Sequence, residues 1–323
     1  MNQGRDHSIS AIRCIAMCFI VMCHVMQYYD FGLAWWFNVG VQIFLFISGF
    51  LYSGKSIESP IKWIGRQFKK ILVPYYTFLI AAFILYVIFV PNISFIDFGG
   101  SLFCVSTVDG IGHLWFIQYI LFCYLITPYL CYLKLWLENS SMKKALVYLL
   151  VIWVVYVIVS IKIYDYLNPI WISCYILGYF YGVYSKKISA KSLTIVNFMS
   201  IFGAIAFNVA KVCIRRYAEI PTDGSLVLVF EIFENTSHLL LGFALYIIFH
   251  RLFQKVHKSR FLTLSDKYSY EIYIVHQLFI LSPFTLMDIT PYFYLNWIFV
   301  LIAIVASGFL LNKISLFING RAQ

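Results

Sequence analysis

Arg13 and His24 stand eleven residues apart in one apolar run, residues 9–29. At ~100° per residue, eleven steps return to almost the same helix face, and at ~1.5 Å per residue they separate the two groups by ~16 Å. That is about half the hydrocarbon thickness of a bilayer. A guanidinium fork suits phosphate or a polarised carbonyl. An imidazole, with an ordinary pKa of about 6.5, suits proton transfer or transient acyl carriage. Ionisable groups inside a span are costly, and function is their default reading. The plainer alternative is a snorkelling Arg and a hydrogen-bonded structural His. The stripe Arg13, Met17, Ile20, His24, Gln27 is expected to face other helices, because lipid penalises its polar members.

Other candidates lie further along. Gly112-His113-Leu114-Trp115-Phe116 opens an apolar run, with His113 a candidate companion of His24 and Trp115 an interfacial anchor or acceptor contact. Lys62, Arg66, Lys69 and Lys70 fall at helical spacing and form one basic face on a cytoplasmic segment expected to end at Pro74, fit for anionic headgroups or for the phosphates of a soluble donor. Glu231, Glu234 and His238 share a face, as do Ser269, Tyr273 and His276. Glu231, Glu234 and His276 are candidate acceptor contacts, a proton relay, or, for the carboxylates, partners of Arg13. Lys211, Arg215 and Arg216 form a second cationic cluster, for an anionic acceptor or interfacial snorkelling. Ser48-Gly49 reads as a close helix approach.

The elements that must position these groups are membrane helices. The 323-residue chain is 62% apolar, 20% aromatic and 12% charged, with mean hydropathy +0.83. Soluble domains are about half apolar and a quarter charged. Ten spans are expected, at residues 9–29, 37–54, 71–90, 113–133, 145–162, 169–185, 194–211, 227–249, 269–287 and 292–316. The fold class is all-α, a polytopic helical bundle forming a single membrane-embedded domain over 1–323, with no length left for a soluble one. An N-terminus inside puts 20 of the 24 Lys and Arg residues on the cytoplasmic side, so both termini are expected there. The net charge of +10 is then topology rather than nucleic-acid binding. The first run is read as a span, not a cleaved leader, since no A-x-A-like site follows it. The eight cysteines form no C-x-x-C and read as apolar residues, with Cys104 and Cys213 the only pair placed to bridge outside. No metal-binding, P-loop or dinucleotide motif occurs, and no metal is expected.

Five segments together resemble the acyltransferase family 3 integral membrane proteins, which acylate cell-surface glycans. They are Arg13 to His24 with ten residues between, Phe44 to Phe50 ending in Ser-Gly-Phe, Gly65-Arg66 through Pro74-Tyr75, His113-Leu114-Trp115-Phe116, and Ser269 to His276. They run in the family's order along most of the chain. Relatives often carry Asp three residues before the Arg, where this chain has Ser10, and Gly or Ala after it, where this chain has Cys14.

The resemblance implies a multi-pass enzyme of the bacterial cytoplasmic (inner) membrane. Its donor would be cytoplasmic acyl-CoA, acetyl-CoA the expected one. Its acceptor would be a hydroxyl of an extracytoplasmic polysaccharide or lipid-linked glycan. Arg13, Arg66, Lys69 and Lys70 would hold the donor, with Arg13 also a candidate to polarise the thioester, and His24 would be general base or acyl carrier. The rival reading is a glycan or lipid-linked sugar transporter or flippase that uses its intramembrane His and Glu residues as a proton relay.

Overall fold

The structure, a computed structural model, describes residues 6–91, 93–139, 144, 147, 151, 167–217 and 225–320. Every regular element among them is helical. They are α1 (His7–Tyr28), α2 (Ala34–Phe37), α3 (Gly40–Tyr52), α4 (Pro60–Phe89), α5 (Phe95–Leu102), α6 (Phe116–Glu138), α7 (Pro169–Tyr184), α8 (Ala190–Tyr217), α9 (Ser225–Leu252), α10 (Arg260–Val275) and α11 (Phe293–Ile318), with 3₁₀ turns at Gly112–Trp115, Ser185–Lys187 and His276–Phe279. Seven helices among the described residues are long and apolar enough to cross a membrane: His7–Tyr28, Ala34–Tyr52, Pro60–Phe89, Gly112–Glu138, Ala190–Arg216, Val227–Leu252 and Phe293–Ile318. The all-α polytopic membrane architecture expected from composition is therefore the one observed. The expected span 145–162 lies outside the described residues, and α7, at 16 residues, is shorter than a full crossing.

Two expectations are corrected. The basic segment was expected to end at Pro74, yet α4 runs through it without interruption from Pro60 to Phe89. Proline removes one amide donor and crowds the carbonyl a turn earlier. Here side chains supply donors around the defect: Tyr270 Oη gives one to Ile71 O at 2.9 Å and Thr77 Oγ1 one to Val73 O at 2.8 Å. The span expected at 269–287 begins earlier, at Arg260, and its helix stops at Val275. A 3₁₀ turn and irregular chain follow up to Tyr292.

Irregular backbone survives at membrane depth only where its polar groups are satisfied internally. This segment does so with its own short polar side chains. Ser282 Oγ donates to Leu278 O at 2.5 Å and accepts from Phe284 N–H at 2.9 Å, and Thr285 Oγ1 donates to Ile280 O at 2.8 Å. Asn296 at the start of α11 donates to Met287 O and Thr290 O, and its amide oxygen accepts from the Thr290 N–H and hydroxyl.

Two compact units, each built from separated stretches, make up the chain: residues 1–40, 61–121 and 252–323 in the first, 41–60 and 122–251 in the second. In the first, α10 packs along both α1 and α11. Gly110, at φ +78°, turns the chain just before His113; a Cβ there would lie 2.6 Å from Ser282 Cα, so only glycine lets this turn sit against the broken segment. In the second, Gly49 of α3 lies against the Tyr175 carbonyl of α7, and Gly178 of α7 lies against the Phe46 carbonyl of α3. That reciprocal contact is the close approach expected from Ser48-Gly49. All eight cysteines are free thiols.

Candidate active site

Three imidazoles converge in the first unit. The His24 ring on α1 lies 5.0 Å, centroid to centroid, from His276 in the 3₁₀ turn after α10, and 6.3 Å from His113 in the 3₁₀ turn before α6. His113 and His276 are 4.6 Å apart. His276 is fully buried, His113 is 3% exposed, and His24 is half-buried. His276 keeps helical backbone angles, φ −62° and ψ −42°, with its N–H bonded to Ile272 O, so the last turn of α10 carries it to the cluster, and the 3₁₀ turn that follows holds Gln277.

Each ring is held by named partners. His24 Nδ1 lies 2.6 Å from Gln27 Oε1, one turn along the same helix. An amide oxygen can only accept, so Nδ1 carries the proton and Nε2 keeps its lone pair. His113 Nδ1 lies 2.7 Å from Gln277 Oε1, its Nε2 lies 2.9 Å from Ile274 O, and its carbonyl accepts a short hydrogen bond from the Tyr273 hydroxyl. His276 Nδ1 lies 2.5 Å from Tyr273 O, and its Nε2 is buried without a hydrogen-bond partner. Such a nitrogen is unusual in a folded interior, and at a reactive cluster it is a contact awaiting a polar group.

Arg13 is held separately, lower on the shared faces of α1 and α10. Its guanidinium forms an ion pair with Asp266 and donates to Ser269 Oγ at 3.2 Å. Ser10 donates to the other Asp266 oxygen at 3.3 Å. The Asp266 side chain is 3% exposed and the Arg13 side chain 26%. The carboxylate beside Arg13 thus comes from position 266, next to the Ser10 hydroxyl.

The other candidates fall as follows. Lys62, Arg66, Lys69 and Lys70 are all exposed on one face of α4, with Trp63, Gln67 and Ile71 buried on the opposite one. Lys70 also donates to Gln67 Oε1 at 3.3 Å. Trp115 is half-buried, its ring edge-on to Tyr119 at 5.3 Å. Glu231 and Glu234 belong to α9 in the second unit, where Glu234 lies 3.6 Å from Lys211. Arg13 pairs with Asp266, from α10. Two site residues, Asp266 and Gln277, escaped the sequence reading. Asp266 had a usable signal, since it precedes Ser269 by three residues and Tyr273 by seven on one helical face.

The chain matches the family model for the acyltransferase domain, acyltransferase family 3, over residues 6–312. It belongs to that family. Searches of curated proteins and of solved structures give no match. With its apolar helices, the chain is a multi-pass membrane acyltransferase. For this acyltransferase, a base-competent imidazole with a defined tautomer and an arginine on the same helix are the two groups to be assigned.

Proposed function

We propose that the protein transfers an acyl group, acetyl as the expected one, from cytoplasmic acyl-CoA to a hydroxyl of an extracytoplasmic cell-surface glycan across the bacterial inner membrane. The observation that carries this reading is the His24 ring, with Nδ1 committed to Gln27 and Nε2 left as a base beside two further imidazoles. In the reaction, the acceptor oxygen attacks the thioester carbonyl carbon while its proton passes to His24 Nε2. The tetrahedral intermediate then expels CoA as the carbon–sulfur bond breaks, and the leaving sulfur takes the proton back. The products are an ester and CoA, and His24 returns to its starting state. His276 Nε2, buried without a hydrogen-bond partner in the same cluster, would orient the acceptor hydroxyl. Passage of the acyl group through His24 itself is the covalent variant of the same chemistry.

Arg13 has a different task. Some ~16 Å of helix rise separates it from His24. The carbonyl under attack must lie within about 3–3.5 Å of the acceptor oxygen that His24 deprotonates. Arg13 therefore serves the donor's extended arm or phosphates, and the exposed Lys62, Arg66, Lys69 and Lys70 face of α4 serves the phosphates of CoA.

The test is purified protein in vesicles, given radiolabelled acetyl-CoA on one side and a surface glycan on the other. Label is expected on the glycan, and is expected to vanish with His24→Ala in a protein that still folds and inserts. Full labelling by His24→Ala, or passage of unmodified sugar with no label transferred, would overturn the assignment.

A further inference from the structure

We infer that Gln277 is a positioning residue that holds His113, main chain and ring, beside His24; this deepens, and rests on, the reading of His24 as the acceptor's base. Three contacts converge on its side-chain amide. The backbone N–H of His113 donates to Gln277 Oε1 at 2.8 Å. A main-chain N–H can only donate, so it is the amide oxygen that faces His113 and the nitrogen that must face away. The same oxygen lies 2.7 Å from His113 Nδ1, so one acceptor fixes both the main chain and the ring of that residue. The amide nitrogen is thereby directed to His24, where it sits 3.4 Å from Nδ1.

His24 Nδ1 thus has an amide from each of two elements at one edge. Gln27 on α1 offers its oxygen at 2.6 Å and Gln277 its nitrogen at 3.4 Å. The shorter contact sets the tautomer. The longer one is a packing contact and not a hydrogen bond, since the amide N–H and the protonated Nδ1 are both donors; it seats the His24 ring beside the amide that holds His113. Neither residue alone does both, because Gln27 travels with α1 whereas Gln277 belongs to the turn after α10.

The backbone of Gln277 is occupied independently of its side chain, its carbonyl accepting from Ile280 N–H at 3.1 Å and Leu281 N–H at 2.9 Å. Replacing the side chain leaves those turn bonds in place. A purely structural role would therefore show as lost stability with unchanged rings and turnover. A positioning role shows at His24 and His113.

Two variants separate these. Gln277→Ala removes every side-chain contact. Gln277→Glu keeps oxygen acceptors for His113 but puts an acceptor oxygen where an amide nitrogen faced the His24 Nδ1–H. Protein carrying ¹⁵N-labelled histidine, seven residues in all, is observed by NMR, with the His24 and His113 ring signals identified by their loss in the corresponding alanine variants. Gln277→Ala is expected to move both ring signals and to lower kcat by about 100-fold, the scale of a misplaced catalytic group, with KM for acetyl-CoA changed less than about threefold. Gln277→Glu is expected to leave the His113 signals near their native place and move those of His24; it also stands in if the alanine variant fails to fold.

Unmoved ring signals in a folded variant overturn the inference, and so does turnover within threefold of the wild type. Failure of the underlying reading looks different: His24→Ala would retain glycan acylation, while the effect of Gln277 on the two rings would still be read by NMR.

Discussion

Asp266→Asn tests how Arg13 is held, and its size follows from the burial of the pair. The substitution keeps shape and hydrogen-bonding capacity but removes the charge facing the guanidinium. Exposed ion pairs contribute about 0–1 kcal/mol, whereas breaking a buried one costs about 3–5 kcal/mol. This pair lies between those limits, with an aspartate side chain 3% exposed and an arginine side chain 26% exposed. Its second tie, to Ser269 at 3.2 Å, survives the change. We expect about 2–3 kcal/mol, which at about 1.4 kcal/mol per tenfold is a loss of about 30- to 150-fold in the population with Arg13 correctly placed. The assay is acyl transfer from acetyl-CoA at subsaturating donor, with thermal unfolding in detergent alongside. The structure also supplies a rescue. Ser10 Oγ lies 3.3 Å from the Asp266 carboxylate, so Ser10→Asp in the Asp266→Asn background restores a negative charge beside the same guanidinium. Most of the lost rate should return. Transfer within threefold of wild type in the single variant, or a double variant no better than the single one, would refute the claim that a carboxylate at this spot holds Arg13 in its working pose.

Arg13→Lys keeps the charge but loses the fork that reaches Asp266 and Ser269 together, so kcat/KM for the donor is expected to fall at least about tenfold; near-normal kinetics would make Arg13 an anchor. Neutralising Lys62, Arg66, Lys69 and Lys70 to Gln should raise KM for acetyl-CoA by about tenfold or more with little change in kcat, and the gap should close in high salt; a lowered kcat at unchanged KM would place the donor phosphates elsewhere. Gly49→Leu forces a side chain into the Tyr175 carbonyl and should cost about 1–3 kcal/mol, read as a lower unfolding temperature, whereas Gly65→Ala, with open space around its Cα, should raise it slightly.

What the sequence revealed, and what it hid, divide along one physical line. Membrane spans announce themselves because lipid demands apolar length, and α1, α6, α8, α9 and α11 all lie close to their expected places. The Arg13–His24 alignment was legible because helical periodicity is fixed by geometry. His113 and His276 were visible as costly residue types in apolar runs. Their meeting point was not, because it depends on how α1, the end of α10 and the turn before α6 pack together. The end of α10 was hidden too, since the chain from 276 to 287 breaks without any glycine, the one proline being Pro283. The compensation lies in Ser282, Thr285, Thr290 and Asn296, residue types that a helix in a bundle also tolerates.

The same line explains why Asp266 and Gln277 were missed. Neither looks unusual in a linear chain, since one sits near an expected cytoplasmic boundary and the other is a neutral amide. Each becomes significant only through a partner about 250 residues away, Arg13 for Asp266 and His24 for Gln277. The Ser10 departure from the family pattern points the same way. A carboxylate beside Arg13 does not have to come from α1, because α10 lies alongside it and offers position 266 at hydrogen-bonding distance from Ser10. Packing permits either helix to place a charge next to the guanidinium, so a motif residue missing from α1 locates a question in the fold rather than a missing function.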